Sequence, residues 1–336
     1  MRVLYIGCTG NISTACFELS LARGHRVTLL NRGRQGVAFD GPVEEIHGDR
    51  NDAALLRQVA ERGRYDVVAN FLGYGLEQIE KDIAAFAGRA GQYLFISSAS
   101  AYRKPPDHYL ITETTALENP FWEYARHKIA CEERLGRAHR EQGLPVTIVR
   151  PSFTYGPTWI PAALGGHGYT VVERIRKGRP IVSHGDGASL WVLTHSSDFA
   201  RGLLGLFGEA RCLGEAFHIT SDEVLTWDQI YRVLGRAAGR EPEIVHVPSD
   251  FIAALEPAYA GTLLGDKAHS VVFDNSKIKR FVPDYRAAVS VAEGVARSIA
   301  WFDADAERRL IEPERDRMLD RIIELHRRGL AEAARP

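Results

Sequence analysis

The sequence has 336 residues, 45% of them hydrophobic and 25% charged, a length and composition that suit one large domain with a normal core plus a smaller one. The formal net charge of −1 leaves no electrostatic footprint for nucleic acid, and Cys8, Cys16, Cys131 and Cys212 form no CxxC pair and no cluster with histidine, which fits a reducing compartment without a zinc site. No apolar run approaches the about 18 residues of a membrane span, so the expectation is a soluble cytoplasmic protein with no membrane partner.

Residues 3–6 are a short continuous apolar run ending at Gly7, the pattern of a buried parallel strand. Residues 11–23 follow with Ile12, Ala15, Cys16, Leu19 and Ala22 three and four apart, which predicts a helix closed by Gly24. Residues 27–30 are the next strand. The alternation continues with a strand at 43–47, a helix at 52–62, a strand at 66–71, a helix at 76–90, a strand at 93–97, a long helix at 121–142 and a strand at 146–149. Repeated βα units of this kind build a parallel sheet with helices on both faces. The rhythm breaks after Arg150. Residues 151–190 are rich in Gly, Pro and isolated aromatics, and a helix near 197–208, a strand near 216–219 and a helix near 226–238 suit a smaller α+β region that contributes a pocket rather than a sheet. Residues 305–333 read as a charged amphipathic helix. The expected organisation is a doubly wound α/β domain over 1–150, a substrate region over 151–304 with some segments returning to the sheet, and a C-terminal helix over 305–336.

Gly7-Cys8-Thr9-Gly10-Asn11-Ile12-Ser13 lies between the first strand and the first helix. The first glycine permits the tight turn. The second lets the backbone approach a pyrophosphate, which then meets the N–H groups of the helix N-terminus. Its placement makes it a dinucleotide turn of the Rossmann type, against the plain alternative of a structural βα turn. The third position, usually glycine for close helix–strand packing, holds Ser13. The second strand ends in Asn31-Arg32-Gly33-Arg34, where an acidic residue would hydrogen-bond the adenosine ribose of NAD. Arg32 can clamp a 2′-phosphate, so NADP is favoured and NAD stays open; the competing reading is solvated loop arginines. Asp49-Arg50, after the third strand, could meet the adenine edge or could simply form the turn that ends in the helix cap Asp52.

Tyr124 and Lys128 are four apart on a helix and share a face. A protonated lysine beside a phenol lowers its pKa from about 10 and makes it a usable general acid/base. Upstream, Leu94 to Tyr102 is an apolar strand that ends in the hydroxyls Ser97, Ser98 and Ser100 at its carboxyl edge, where open parallel sheets bind ligands.

Taken together these residues resemble the extended short-chain dehydrogenase/reductase family, the NAD-dependent epimerases and dehydratases of nucleotide sugars. Gly7 to Ser13 is similar to its glycine turn, Ser97-Ser98 with Tyr102 to its serine strand, and Tyr124-x-x-x-Lys128 to its Tyr/Lys pair. Arg150-Pro151-Ser152-Phe153-Thr154-Tyr155-Gly156-Pro157 is similar to the segment bordering nicotinamide and substrate, residues 191–200 to its His-x-x-Asp-x-Ala stretch, and 274–277 with 300–302 to its C-terminal signatures. The resemblance implies proton transfer by Tyr124, a nicotinamide-ribose contact and pKa bias from Lys128, and a hydrogen bond from Ser98 to the reacting oxygen, with Ser97 as the alternative. It implies a cofactor set of Gly7, Thr9, Gly10, Asn11, Ile12, Asn31, Arg32, Asp49, Arg50, Phe71, Leu72, Ser97, Tyr124, Lys128, Pro151 and Phe153, and a substrate set of Ser98, Ser100 and Tyr155. It also implies a homodimer through the helices at 76–90 and 121–142.

Ala99-Ser100 stands where the family's dehydratases place Asp-Glu and its decarboxylating members place Glu, which removes that chemistry and leaves epimerase or 4-ketoreductase, with a nucleotide sugar as substrate. A non-sugar carbonyl reductase is a second reading, in which Trp159, Tyr169 and Trp191 line the pocket or else form core. The N-terminal pattern also resembles chloroplast stem-loop RNA-binding members of the superfamily, but the net charge and the intact Tyr124/Lys128 pair speak against that. His167, His184 and His195 have no ligand spacing, and His195 reads as structural. Lys177, Arg179 and Arg201 could meet a diphosphate or be solvated.

Overall fold

A computed structural model describes residues 1–33 and 43–335; Arg34 lies outside the described residues. The first strands are β1 (Arg2–Ile6), β2 (Arg26–Asn31), β3 (Val43–His47), β4 (Tyr65–Asn70) and β5 (Ala90–Ile96). The short β6 (Leu110–Ile111) pairs outside them with Val272–Phe273, and β7 (Val146–Pro151) and β8 (Phe153–Tyr155) follow. The main sheet has seven strands in the order Ala216–Ile219, β7, β5, β4, β1, β2, β3. Every neighbouring pair is parallel. This is an α/β fold of the Rossmann type. The strand order reverses between β1 and β4, so their carboxyl ends diverge and open a crevice, the place where such sheets bind ligands.

Four helices matter for that crevice: α1 (Ser13–Ala22), α2 (Ala53–Glu61), α3 (Leu76–Phe86) and α4 (Glu123–Gln142). The central strands are apolar on both sides because both faces are covered. On one face Cys16 and Phe17 of α1 pack with Phe199 and Leu203 against Val3, Tyr5 and Leu94. On the other, Leu56 and Val59, then Ile79, Ile83 and Phe86, then Cys131 and Leu135 pack against Leu4, Ile6, Val68 and Phe95. Apolar positions at helical spacing therefore set which face each helix buries.

The structure corrects three expectations. The helix predicted at 76–90 ends at Phe86; Gly88, at φ +72°, turns the chain and Ala90 already opens β5. The C-terminal helix is Pro313–Ala333, because proline suits a first helical turn and residues 306–308 form a separate 3₁₀ turn. The region after Arg150 is built on sheets: Val224–Thr226, Leu190–His195 and β8 make three strands, and Ile244–Val247 pairs with Ile181–His184. Its core is aromatic, centred on Trp191, Trp227, Tyr155, Tyr169 and Tyr231. Among the described residues no helix is long and apolar enough to cross a membrane, and no cluster of three His, Cys, Asp or Glu could hold a metal.

Candidate active site

The crevice is a cleft of ≈ 670 Å³. One wall is the turn from β1 to α1. Gly7 has φ +79°, and a Cβ there would lie 2.4 Å from Cγ of Leu72, so the turn and the residues after β4 touch only because this residue is glycine. Among the described residues no side chain caps the N-terminus of α1, an end suited to an anion. Ser13 has a local duty: the Gly10 N–H donates to its Oγ at 3.0 Å, so the hydroxyl ties down the second glycine. Asn11 donates from Nδ2 to the Thr154 carbonyl at 2.8 Å, while its Oδ1 is buried with no partner among the described residues. Gly156 allows this approach, since a Cβ there would lie 2.8 Å from Asn11 Oδ1.

Beyond β2, Asn31 Oδ1 accepts from the Gly33 N–H at 2.7 Å and shapes the bend that presents the exposed Arg32 at the cleft. Asp49, Arg50, Phe71, Leu72, Ser97, Pro151, Thr9, Gly10 and Ile12 line the same cleft. Arg50 is 5% exposed, and its Nη2 donates to both carboxylate oxygens of Asp82 at 2.7 and 2.6 Å. Ser97 donates to Glu132, which in turn accepts from Arg150 Nη2 at 2.6 Å and Nε at 3.0 Å. That buried pair fastens α4 to β7.

At the far end stand Ser98, Tyr124 and Lys128, all lining the cleft. β5 delivers Ser98 just past its carboxyl end, where the Oγ accepts from the Ser100 N–H at 3.2 Å and meets Ser100 Oγ at 2.8 Å. Tyr124 stands in the first turn of α4 and Lys128 follows one turn on. Lys128 is buried, and Nζ donates to the carbonyls of Gly73 at 2.7 Å and Ile96 at 2.8 Å. Burial pulls its ammonium pKa down to about 8. Burial pushes the Tyr124 phenol up to about 12, the neighbouring Tyr74 adds to this, and the hydrogen bond with Ser98 opposes it.

The expected lowering of Tyr124 by Lys128 is therefore not what the arrangement delivers. The ammonium lies 5.7 Å from the Tyr124 ring centroid, directed at two carbonyls, and desolvation dominates. With its pKa raised, the phenol holds its proton at pH 7.

Three expected residues sit away from the cleft wall. Phe153 packs between His167 and Trp227, with ring centroids 5.6 and 6.3 Å away, because β8 turns it into the second core; Ser152 and Thr154 face the cleft instead. Tyr155 is 1% exposed and stands edge-on to His195. Ser100 is buried against Ser98. Of the three aromatics that could line a pocket, Trp159 does; Tyr169 and Trp191 are core. His195 caps the helix Ser196–Gly205. Arg179 pairs with Asp316 and Asp320 at 2.8 and 2.6 Å, Lys177 with Glu173 at 2.8 Å, and Arg201 with Asp198.

Asn70, Gly73, Tyr74, Gln78, Asp82 and Glu132 were missed. One had a signal: Asp82 falls three after Ile79 and one before Ile83, on the apolar face of its helix.

Residues 3–219 match the NAD dependent epimerase/dehydratase family. The chain is similar to the chloroplast stem-loop binding protein of 41 kDa b of Arabidopsis thaliana, 28% identical over 270 residues that cover 74% of this chain and 67% of that protein. It is similar to the 2'-dehydrokanamycin reductase of Streptomyces kanamyceticus, 26% identical over 289 residues that cover 85% of this chain and 80% of that protein. In fold it is similar to the UDP-glucose 4-epimerase of Bifidobacterium longum, solved in complex with NAD+ and UDP, with a TM-score of 0.74, 19% identity and coverage of 91% of this chain and 99% of that one.

Proposed function

We propose that this chain, which belongs to the NAD dependent epimerase/dehydratase family, is an epimerase or 4-ketoreductase that passes hydride between a bound nicotinamide and the carbinol carbon of a nucleotide sugar. The observation that supports it best is the convergence of Ser98, Tyr124 and Lys128 in the same cleft as the Gly7–Ser13 turn. Ser98 would hold the reacting oxygen, Tyr124 would give or take its proton, and Lys128 would hold the nicotinamide ribose. When bound, a nicotinamide dinucleotide would supply or accept the hydride. Gly7 to Ser13 fit its pyrophosphate by leaving a helix N-terminus uncapped. With Asn31 and Arg32 rather than an acid after β2, NADP is the preferred form and NAD the alternative.

A second reading, reduction of a carbonyl compound that is not a nucleotide sugar, is favoured by the cations of the cleft. Among the described lining residues they are Arg32, Arg50 and Lys128. The first two lie toward the adenosine end and the third belongs to the catalytic set, so no arginine stands by the substrate to clamp a diphosphate. Trp159, stacked on His167, and Tyr74 line the cleft instead.

Stoichiometry separates the readings. An epimerase interconverts a nucleotide sugar with no net change in reduced nicotinamide, a 4-ketoreductase consumes it with a 4-keto nucleotide sugar, and a reductase of the second kind consumes it only with simpler ketones. Arg32→Ala should weaken NADP+ binding more than NAD+ binding, and equal losses would sink the 2′-phosphate assignment. Strong, salt-sensitive retention of RNA by the pure protein would overturn both enzymatic readings. A cytoplasmic homodimer joined through α3 and α4 belongs to the same proposal, and the mass in solution tests the dimer.

A further inference from the structure

Asp82 is a carboxylate inside an apolar helix face, 1% exposed, and the catalytic set does not use it. It collects four hydrogen bonds. Arg50 Nη2 gives two, Asn70 Nδ2 one at 2.7 Å, and the Tyr93 hydroxyl one at 2.7 Å. A structural ion pair would end there, but this one has ties at both ends of the cleft. Arg50 lines the adenosine end, and its Nε and Nη1 are buried with no partner among the described residues. Asn70 closes β4 and accepts, through Oδ1, the Leu72 N–H at 2.8 Å. One residue after Leu72, the Gly73 carbonyl accepts the Lys128 ammonium.

A second strand of contacts runs in parallel. Gln78 Nε2 donates to Asn51 Oδ1 at 3.0 Å, and Gln78 Oε1 accepts the Tyr74 N–H at 2.7 Å. The segment 71–74 is thus held from one side by the turn at 49–51 and from the other by Lys128, whose ammonium also lies 4.9 Å from the Tyr74 ring centroid.

We propose that Asp82 is a positioning residue: with Arg50 and Asn70 it couples occupation of the adenosine end of the cleft to the placement of residues 71–74, and through them of Lys128. This rests on the reading of the cleft as a dinucleotide site. The ionised carboxylate fixes Arg50 as a rigid wall for the adenosine half and orients Asn70 toward Leu72. A neutral Asp82 loses the charge of the pair and lets that wall move. Burial pushes the Asp82 carboxyl up to about 6, opposed by Arg50 and by the bonds from Tyr93 and Asn70, so its proton is exchanged close to working pH. The ionisable groups facing it are Arg50 from the turn before α2, Tyr93 from β5 and Cys131 from α4.

The test is titration of NADP+ and NAD+ followed by tryptophan fluorescence, which Trp159 in the cleft should report, from pH 5 to pH 8. NAD+ lacks the 2′-phosphate and so separates titration of the ligand from titration of the protein. Affinity for both should fall roughly tenfold as pH drops through about 6. Asp82→Asn, which keeps the shape, should bind more weakly at pH 7.5 and lose that pH dependence. Tyr93→Phe keeps the carboxylate but removes a bond that favours its ionised form, so the midpoint should move to higher pH. A carboxylate with a merely structural role would leave the Tyr93→Phe midpoint in place, and that result overturns the proposal even if Asp82→Asn does not fold. Failure of the wild-type protein to bind either dinucleotide would instead sink the dinucleotide reading itself.

Discussion

In the first 150 residues aliphatic side chains, with single rings such as Phe17 and Phe86 among them, cover the sheet, and polar groups near its carboxyl edge are tied to backbone atoms: Ser13 to the Gly10 N–H, Asn70 to the Leu72 N–H, Lys128 to two carbonyls. Beyond residue 150 the core is made of large rings, with Trp191 and Trp227 5.4 Å apart and Tyr231 6.1 Å from Trp227. The first arrangement places small groups accurately on a repeating frame. The second fills an irregular space between short sheets, where bulk matters more than position. The cleft lies where the two meet, with Ser98, Tyr124 and Lys128 from the first and Trp159 from the second.

Substitutions can break or sharpen that contrast. The largest effect belongs to Tyr124→Phe, which removes one oxygen from the ordered edge: turnover should fall roughly 10²–10⁴-fold while dinucleotide binding holds. Activity that survives would move the proton transfer to another group. Next come two tryptophans of like size and opposite placement. Trp227→Ala should destabilise the fold by about 3–5 kcal/mol in chemical denaturation. Trp159→Ala should leave stability within about 1 kcal/mol and raise KM for the carbonyl or sugar substrate instead. Similar denaturation curves for both would erase the division between core and cleft.

The Lys128 ammonium is held near its titration point by burial. It is charged below about 8 and neutral above, so kcat/KM should decline as pH rises through that value. Lys128→Arg, which stays charged, should flatten that limb whatever its absolute rate, and an unchanged profile would assign the limb to a different group. The smallest effect is expected from Ser13→Gly, which removes the bond to Gly10 and costs about 0.5–1.5 kcal/mol in thermal unfolding with little change in dinucleotide affinity.

Legibility in the sequence followed the same division. The βα alternation, the turn at Gly7 and the Tyr124/Lys128 pair were readable because each is local: one strand, one turn, one helix face. Asp82 meets Arg50 across 32 residues and Glu132 meets Arg150 across 18, and neither pairing has a periodicity to announce it. Aromatics misled for the opposite reason. Phe153 and Tyr155 stand on a strand whose neighbours in space, Leu193 and His195, come from 40 residues downstream, so the face that meets the cleft was set by a sheet the sequence did not reveal. The acidity of Tyr124 is not legible in the sequence, because helical spacing gives nearness but not direction, and the lysine points at carbonyls.

The strand Ala216–Ile219 borders β7 in parallel and completes the main sheet from the far side of the chain. A cut after residue 150 would strip β7 of that neighbour and expose a bare row of peptide groups, an invitation to stick to other copies. The two halves are therefore not interchangeable modules. Any transplant of the first 150 residues into another scaffold has to carry this late strand with it, and a hybrid that omits it should precipitate rather than stay in solution.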